Sequence, residues 1–315
     1  MKKNIKRIVA LTALTTAGIH VANKVIENKA TEKHLLSTNS GHFFDWKFGR
    51  IYYTKKGNGE PLVLVHDLSP DCSAYEWTNV INNLSKNYTV YTLDLLGCGR
   101  SDKPAMNYTG FVFVQLLNDF IKQIVHKPAF VAATGFASPF TLMASYIEPD
   151  NYKKLIFINP TSPEEFDVLP QEKKSFTKRI FELPIFGTYL YNIYVRRNSI
   201  SKEVLQSDTF SGEGYLSSFV DAYYEAAHLQ KGNGRYLYAS MWDEYVNVNM
   251  RRGLMEHKLP IFIIESSVIS EDENLIEQFK FYNKEITGTV IRGTKYMPQI
   301  EDAKKTCEEI RGFFY

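Results

Sequence analysis

The sequence predicts an α/β protein: a mostly parallel sheet with helices on both faces, broken by one helical insertion. Three observations predict it. Short continuous apolar runs recur, among them PLVLVH (61–66), YTVYTLD (88–94), KPAFV (127–131), KLIFINP (154–160), LPIFIIE (259–265) and TGTVIRG (287–293), as expected of strands buried on both faces. Segments with helical periodicity separate them, which is the alternation of a doubly wound sheet. One stretch, residues 161–257, interrupts that alternation; it is aromatic-rich and helical in pattern throughout.

The elements follow in order. MKKNIKR carries Lys2, Lys3, Lys6 and Arg7, and the run from Ile8 to Ala22 has no formal charge except on His20. A basic segment before an apolar one is the layout of a signal peptide or signal anchor. No A-x-A site follows, so residues 1–26 read as an uncleaved membrane anchor. The positive-inside rule then places the globular part outside the cytoplasm. Residues 27–41 are polar and read as a tether. HFFDWKFGRIYYTKKGNG (42–59) predicts a β-hairpin turning at Phe48-Gly49. EWTNVINNLSKN (76–87) and FVFVQLLNDFIKQIV (111–125) predict helices between the next strands. A helix follows AATGFASPF (132–140), and two more, NLIEQFKFYN (274–283) and EDAKKTCEEIRGFF (301–314), follow the later strands. The organisation is a core over 42–160, a helical cap over 161–257 and the rest of the core over 258–315.

With 315 residues, 44% hydrophobic and 14% aromatic, the chain has ample material for one large core. A net charge of +2 gives no global case for a nucleic-acid partner. Cys72, Cys98 and Cys307 form no CxxC and have no metal-type spacing with histidine. No cofactor or metal is expected. A dinucleotide reading of GCGRSD fails, because Asp102 stands where the third glycine is needed and several strands precede the motif.

PLVLVHDLSPDCSAYEWTNVINNLSKNYTVYTLDLLGCGRSDKP (61–104), with its D-x-x-G-x-G-x-S-D-x-P run from Asp94 to Pro104, resembles the α/β-hydrolase-fold superfamily, of the AB hydrolase-1 type. The resemblance runs from about His42 to the C-terminus. DAYYEAAH (221–228) looks like the cap of N-terminally anchored bacterial members. The resemblance implies an eight-stranded sheet with the cap inserted after the sixth strand, and a Ser-His-Asp triad in a pocket beneath the cap.

Each triad position departs from that pattern. The family's nucleophile occupies a small-x-nucleophile-x-small turn between strand and helix. Matching it to AATGFASPF puts Ala133 and Ala137 at the small positions and Gly135 at the apex. A shifted register puts the equally inert Ala137 there. Thr134 and Ser138 are the nearby hydroxyls, and Ser138 is expected to cap the following helix rather than attack. The family's histidine position in Gly293–Glu301 carries Tyr296, and the last histidine of the chain is His257. A phenol ionises near ~10 and is a poor base at neutral pH. The acid position carries Ile269; Glu271, Asp272, Glu164 and Glu165 are the acids close enough to replace it. His66 is followed by Asp67 where family members have glycine, so a carboxylate stands at the expected oxyanion hole.

The expectation is therefore a non-catalytic protein that keeps its pocket for an apolar small ligand or a partner. His66, Asp67, Leu68, Phe136, Tyr223, His228 and Tyr296 are the candidate lining residues, under an aromatic cap (Tyr215, Phe219, Tyr223, Tyr224, Tyr236, Tyr238, Trp242) packed mostly on itself. The alternatives are an ester or lipid-like hydrolase with a rearranged site, drawing on Ser138 or His228, and a membrane-tethered scaffold.

Overall fold

The computed structural model describes residues 2–165, 176–205, 213–272 and 274–315. The side chains of Tyr215, Glu271 and Asp272 lie outside the described residues.

The first helix, α1 (Lys2–Thr31), is continuous through the segment read as anchor and the start of the tether. Residues Val9–Thr31 are long and apolar enough to cross a membrane, with mean hydropathy 1.3. In its N-terminal half Val9, Leu11 and Leu14 are exposed. Its C-terminal half is docked: Asn23 Nδ2 donates to the Ile185 carbonyl at 2.9 Å and Asn192 Nδ2 to Asn23 Oδ1 at 3.0 Å. The tether expected over 27–41 is likewise held. The Leu35 and Leu36 N–H groups donate to the Glu225 carboxylate, and Lys33 pairs with Asp221. Long-range partners on the cap, invisible in a local polar pattern, pin this segment.

The hairpin is β1 (His42–Trp46) and β2 (Gly49–Lys56). After β3 (Glu60–Val65), a 3-10 turn (Ala74–Trp77) leads into α2 (Thr78–Leu84) and β4 (Tyr88–Leu93). Then come α3 (Gly110–Phe120), β5 (Ala129–Thr134), α4 (Ala137–Ile147) and β6 (Tyr152–Ile158). The cap comprises α5 (Phe176–Glu182), α6 (Phe186–Tyr194), α7 (Arg197–Leu205), α8 (Glu213–Gly232), α9 (Arg235–Trp242) and α10 (Arg251–Glu256). The core resumes with β7 (Ile261–Ser266), α11 (Ser267–Asp272), α12 (Leu275–Tyr282), β8 (Thr287–Ile291), α13 (Pro298–Glu301) and α14 (Ala303–Phe314).

The eight strands form one sheet in the order β1-β2-β4-β3-β5-β6-β7-β8, parallel from β4 through β8 with an antiparallel β1–β2 edge. Side-chain alternation divides each buried strand between two cores. Val63, Val65, Val131 and Ala133 pack with α3 and α4 on one face. Leu62, Leu64, Ala132 and Ile156 pack with α2 and α14 on the other. The cap has its own core, including Phe181, Tyr191, Phe219 and Tyr223. Lys103, buried, joins cap to core by donating from Nζ to the Gly97 and Ala226 carbonyls at 3.2 and 3.1 Å.

The chain reverses direction across the sheet at β3, which lies between β4 and β5. Ligand crevices in open α/β sheets form at such a point, beyond the carboxyl ends of the strands. Asp67 lies just past β3, Gly135 just past β5 and Asn159 just past β6, so all three meet at that crevice.

Candidate functional site

The segment after β5 is a tight elbow. Gly135 has φ +46°, in the left-handed region, and α4 begins two residues later. Its N–H donates to the Ile158 carbonyl at 3.2 Å. Asp67 reaches this elbow from the loop after β3. Its Oδ1 accepts the Leu68 N–H and the Phe136 N–H, each at 2.7 Å. Those are the two backbone donors that an elbow of this kind turns toward an oxyanion. A Cβ placed on Gly135 would lie 2.5 Å from Asp67 Oδ2 and 2.6 Å from its Cγ. The Asp67 carboxylate thus fills both the oxyanion position and the space of a side chain at residue 135.

A second carboxylate lies behind it. Glu76, on the 3-10 turn before α2, is fully buried. Its Oε2 accepts the Asp67 N–H at 3.2 Å and its Oε1 accepts Gln299 Nε2 at 2.8 Å. Burial, reinforced by the Asp67 charge, pushes its pKa up to about 8. Asp67 is open to the pocket but otherwise surrounded by protein, and burial pushes its pKa up to about 6 against the two N–H bonds that favour the anion. Burial raises both carboxyls and raises Glu76 the more, so of the two Glu76 is the stronger proton holder.

The Asp94–Pro104 motif builds the platform beneath this pair. Buried Asp94 accepts Arg100 Nε on Oδ2 at 2.7 Å and Arg100 Nη2 on Oδ1 at 2.9 Å. It also accepts the Ala74 N–H at 2.8 Å, which fixes the turn that carries Glu76. Gly99, at φ +44°, has no room for a Cβ against this carboxylate. The motif is structural; it holds chemistry that lies elsewhere.

Gly135, Ile269 and Tyr296 line one pocket of about 300 Å3, together with Asp67, Phe136 and Glu76. Several candidate residues lie elsewhere. His66 is buried, with Nε2 accepting the Leu95 N–H at 3.0 Å and burial lowering its pKa to about 4. It is a structural histidine. Leu68 contributes its N–H, but its side chain is in the core. Tyr223 packs inside the cap, its hydroxyl 3.9 Å from Met297 Sδ. His228 belongs to a different pocket, between the cap and α1, with His20, Asn23 and Glu27. Burial holds its pKa down at about 4, and its Nδ1 contacts the Tyr224 carbonyl at 2.8 Å. Ser138 is buried and its hydroxyl has no partner among the described residues, and no side-chain cap bond is made at the start of α4. Of the replacement acids, Glu165 lines the pocket and Glu164 does not.

The expected aromatic roof is also corrected. Among the described residues, no side chain of α5–α10 lines this pocket. Phe219 and Tyr223 are cap core, while Trp242 is 56% exposed. Sequence reasoning missed Glu76, Gln299 and Thr161, which all line the pocket. Glu76 lies nine positions after the anomalous Asp67 at the start of a helix-like run, and that proximity was the only available signal.

Residues 60–182 match a family model described as alpha/beta hydrolase fold. The chain is 40% identical over 110 residues to a soluble epoxide hydrolase of Corynebacterium, covering 35% of this chain and 38% of that protein. The chain spans about a quarter to two-fifths of the length of the curated relatives it matches. A serine hydrolase involved in carbazole degradation superposes with TM-score 0.70 at 17% identity, covering 87% of this chain and 98% of that one. A membrane phospholipase A superposes with TM-score 0.64 at 17% identity, covering 100% of this chain and 98% of that one.

Proposed function

We propose that this chain is a non-catalytic member of the α/β-hydrolase-fold superfamily that binds an apolar small ligand in the pocket around Gly135. The domain is carried on the extracytoplasmic side of a membrane by α1. The observation that carries this reading is the Asp67 carboxylate on the Leu68 and Phe136 N–H groups. A substrate carbonyl needs those donors free, and an anion already there repels a second one developing in the transition state. No serine, cysteine or histidine lines the described pocket. Removing even one triad member ordinarily costs several orders of magnitude in rate.

A second reading, an active hydrolase with a rearranged site, is favoured by two observations. The chain's relatives include proteins named as epoxide hydrolase and as hydrolase of a substituted succinate. Asp67 also brings a carboxylate to the place of a nucleophile's side chain. The experiment that separates the readings combines a fluorophosphonate probe, turnover of short-chain aryl esters and styrene oxide, and thermal shift with medium-chain alcohols and lactones. The expected result is no labelling, no turnover, and a dose-dependent rise in melting temperature. Turnover that disappears in Asp67→Ala overturns the binding reading in favour of the hydrolase. No thermal shift with any compound overturns it in favour of a tethered scaffold.

A further inference from the structure

The pocket's backbone donors at Leu68 and Phe136 are both taken by Asp67. The Gln299 amide N–H donates to Glu76, and Asn159 Nδ2 donates to the Tyr296 carbonyl at 2.8 Å. What remains open includes acceptors on Asp67 and Gln299 and the hydroxyls of Thr134 and Thr161, which can donate or accept. Asp67 Oδ2 receives no hydrogen bond from any described residue. Gln299 Oε1 and Thr161 Oγ1 are buried without a partner among the described residues, on residues only 2% and 8% exposed. A buried acceptor left unpaired costs on the order of 1–3 kcal/mol, so a fitting ligand brings donors.

Charge points the same way. The Asp67 carboxylate lines the pocket, and among the described residues that line it there is no lysine, arginine or histidine. The rings of Phe136 and Tyr296 are in the same wall, and aromatic faces attract cations. Among the described residues no group of three His, Cys, Asp or Glu could hold a metal ion. An ammonium carries three N–H donors, suited to the open Asp67 and Gln299 oxygens.

We propose that the pocket recognises an amphiphilic organic amine, its ammonium paired with Asp67 and its apolar body against Ile158, Ile269, Leu275 and Met297. This rests on the reading of the pocket as a binding site. Anionic amphiphiles are disfavoured, because the donors that would hold a carboxylate are already spent within the protein.

The test is a matched series of n-octylamine, n-octanol and octanoate, titrated calorimetrically against the full chain in detergent at pH 7.5. Octylamine is expected to bind at least ~10-fold more tightly than octanol, equivalent to about 1.4 kcal/mol, and octanoate more weakly than either. Asp67→Asn is expected to bring the amine to within ~3-fold of the alcohol. Glu76→Gln, which keeps Asp67, is expected to retain the amine preference and serves if Asp67→Asn does not fold. Equal binding of amine and alcohol overturns the amine assignment and leaves the apolar-pocket reading standing. Tightest binding by octanoate also overturns it and shows Asp67 yielding the two N–H groups to a ligand. Failure of all three to bind overturns both the assignment and the reading beneath it.

Discussion

Replacing Gly135 by serine tests the central feature of the site, the competition between residue 135 and Asp67 for one space. Two costs follow from the structure. A side chain at φ +46° adopts the left-handed region, at about 1–2 kcal/mol for a non-glycine residue. The new Cβ would also stand 2.5 Å from Asp67 Oδ2, so the carboxylate must leave. Leaving breaks two bonds of 2.7 Å to the Leu68 and Phe136 N–H groups, each worth about 1.5–3 kcal/mol for a charged partner. Against this, a carboxylate that burial holds near pKa 6 recovers solvation when it moves out, about 1.4 kcal/mol for each pKa unit regained. The net expectation is a loss of about 2–5 kcal/mol for Gly135→Ser alone. In an Asp67→Gly background only the backbone cost of about 1–2 kcal/mol remains. Urea unfolding of the wild type, both single variants and the double variant closes a double-mutant cycle. The expected coupling is about 1–3 kcal/mol, with the double variant more stable than the two single losses sum to. Additivity within about 0.5 kcal/mol would refute the shared-space argument.

Two further predictions concern the groups behind Asp67. Glu76 has its pKa raised from 4.5 to about 8 in the folded protein, so it keeps a proton that the unfolded chain has released. Its contribution to stability is full below the unfolded value and is lost as pH rises through about 8. The wild type should therefore lose on the order of 3–5 kcal/mol relative to Glu76→Gln between pH 4.5 and 8; parallel pH–stability curves for the two proteins would contradict it. Arg100→Ala leaves buried Asp94 without its ion-pair partner and should cost about 3–5 kcal/mol in urea unfolding. It should also speed hydrogen exchange at the Ala74 amide, which Asp94 holds; an unchanged exchange rate there would show that the Glu76 turn stands without the ion pair.

Much of the fold was legible because it rests on local rules. The strand runs, the hairpin turn at Phe48-Gly49 and the helical insertion all lie where the apolar patterns put them. The elbow was legible in Ala133, Gly135 and Ala137, since close approach of strand and helix demands small residues whatever the apex does. The three positions that the family resemblance picked out, Gly135, Ile269 and Tyr296, line one pocket. What local rules do not carry is partnership at long range. Residues 27–36 looked like a tether because Glu27, Lys33 and the Leu35 and Leu36 amides are polar, yet each is matched on the cap, at Lys231, Asp221 and Glu225. Glu76 stands at the start of the run read as a helix, and its burial depends on distant partners: Asp94 holds the Ala74 N–H of its turn and Gln299 donates to its carboxylate.

Asp67 and Gly135 show the same limit at the site itself. Read separately, one is a misplaced charge in an oxyanion loop and the other a missing nucleophile. In three dimensions they are complementary, because the space emptied of a side chain at Gly135 is the space the Asp67 carboxylate fills. On the non-catalytic reading proposed above, a serine restored at 135 would still meet the Asp67 carboxylate, and removing Asp67 alone frees two N–H donors. The two positions form one physical unit, and the elbow's chemistry is set by the carboxylate that occupies it.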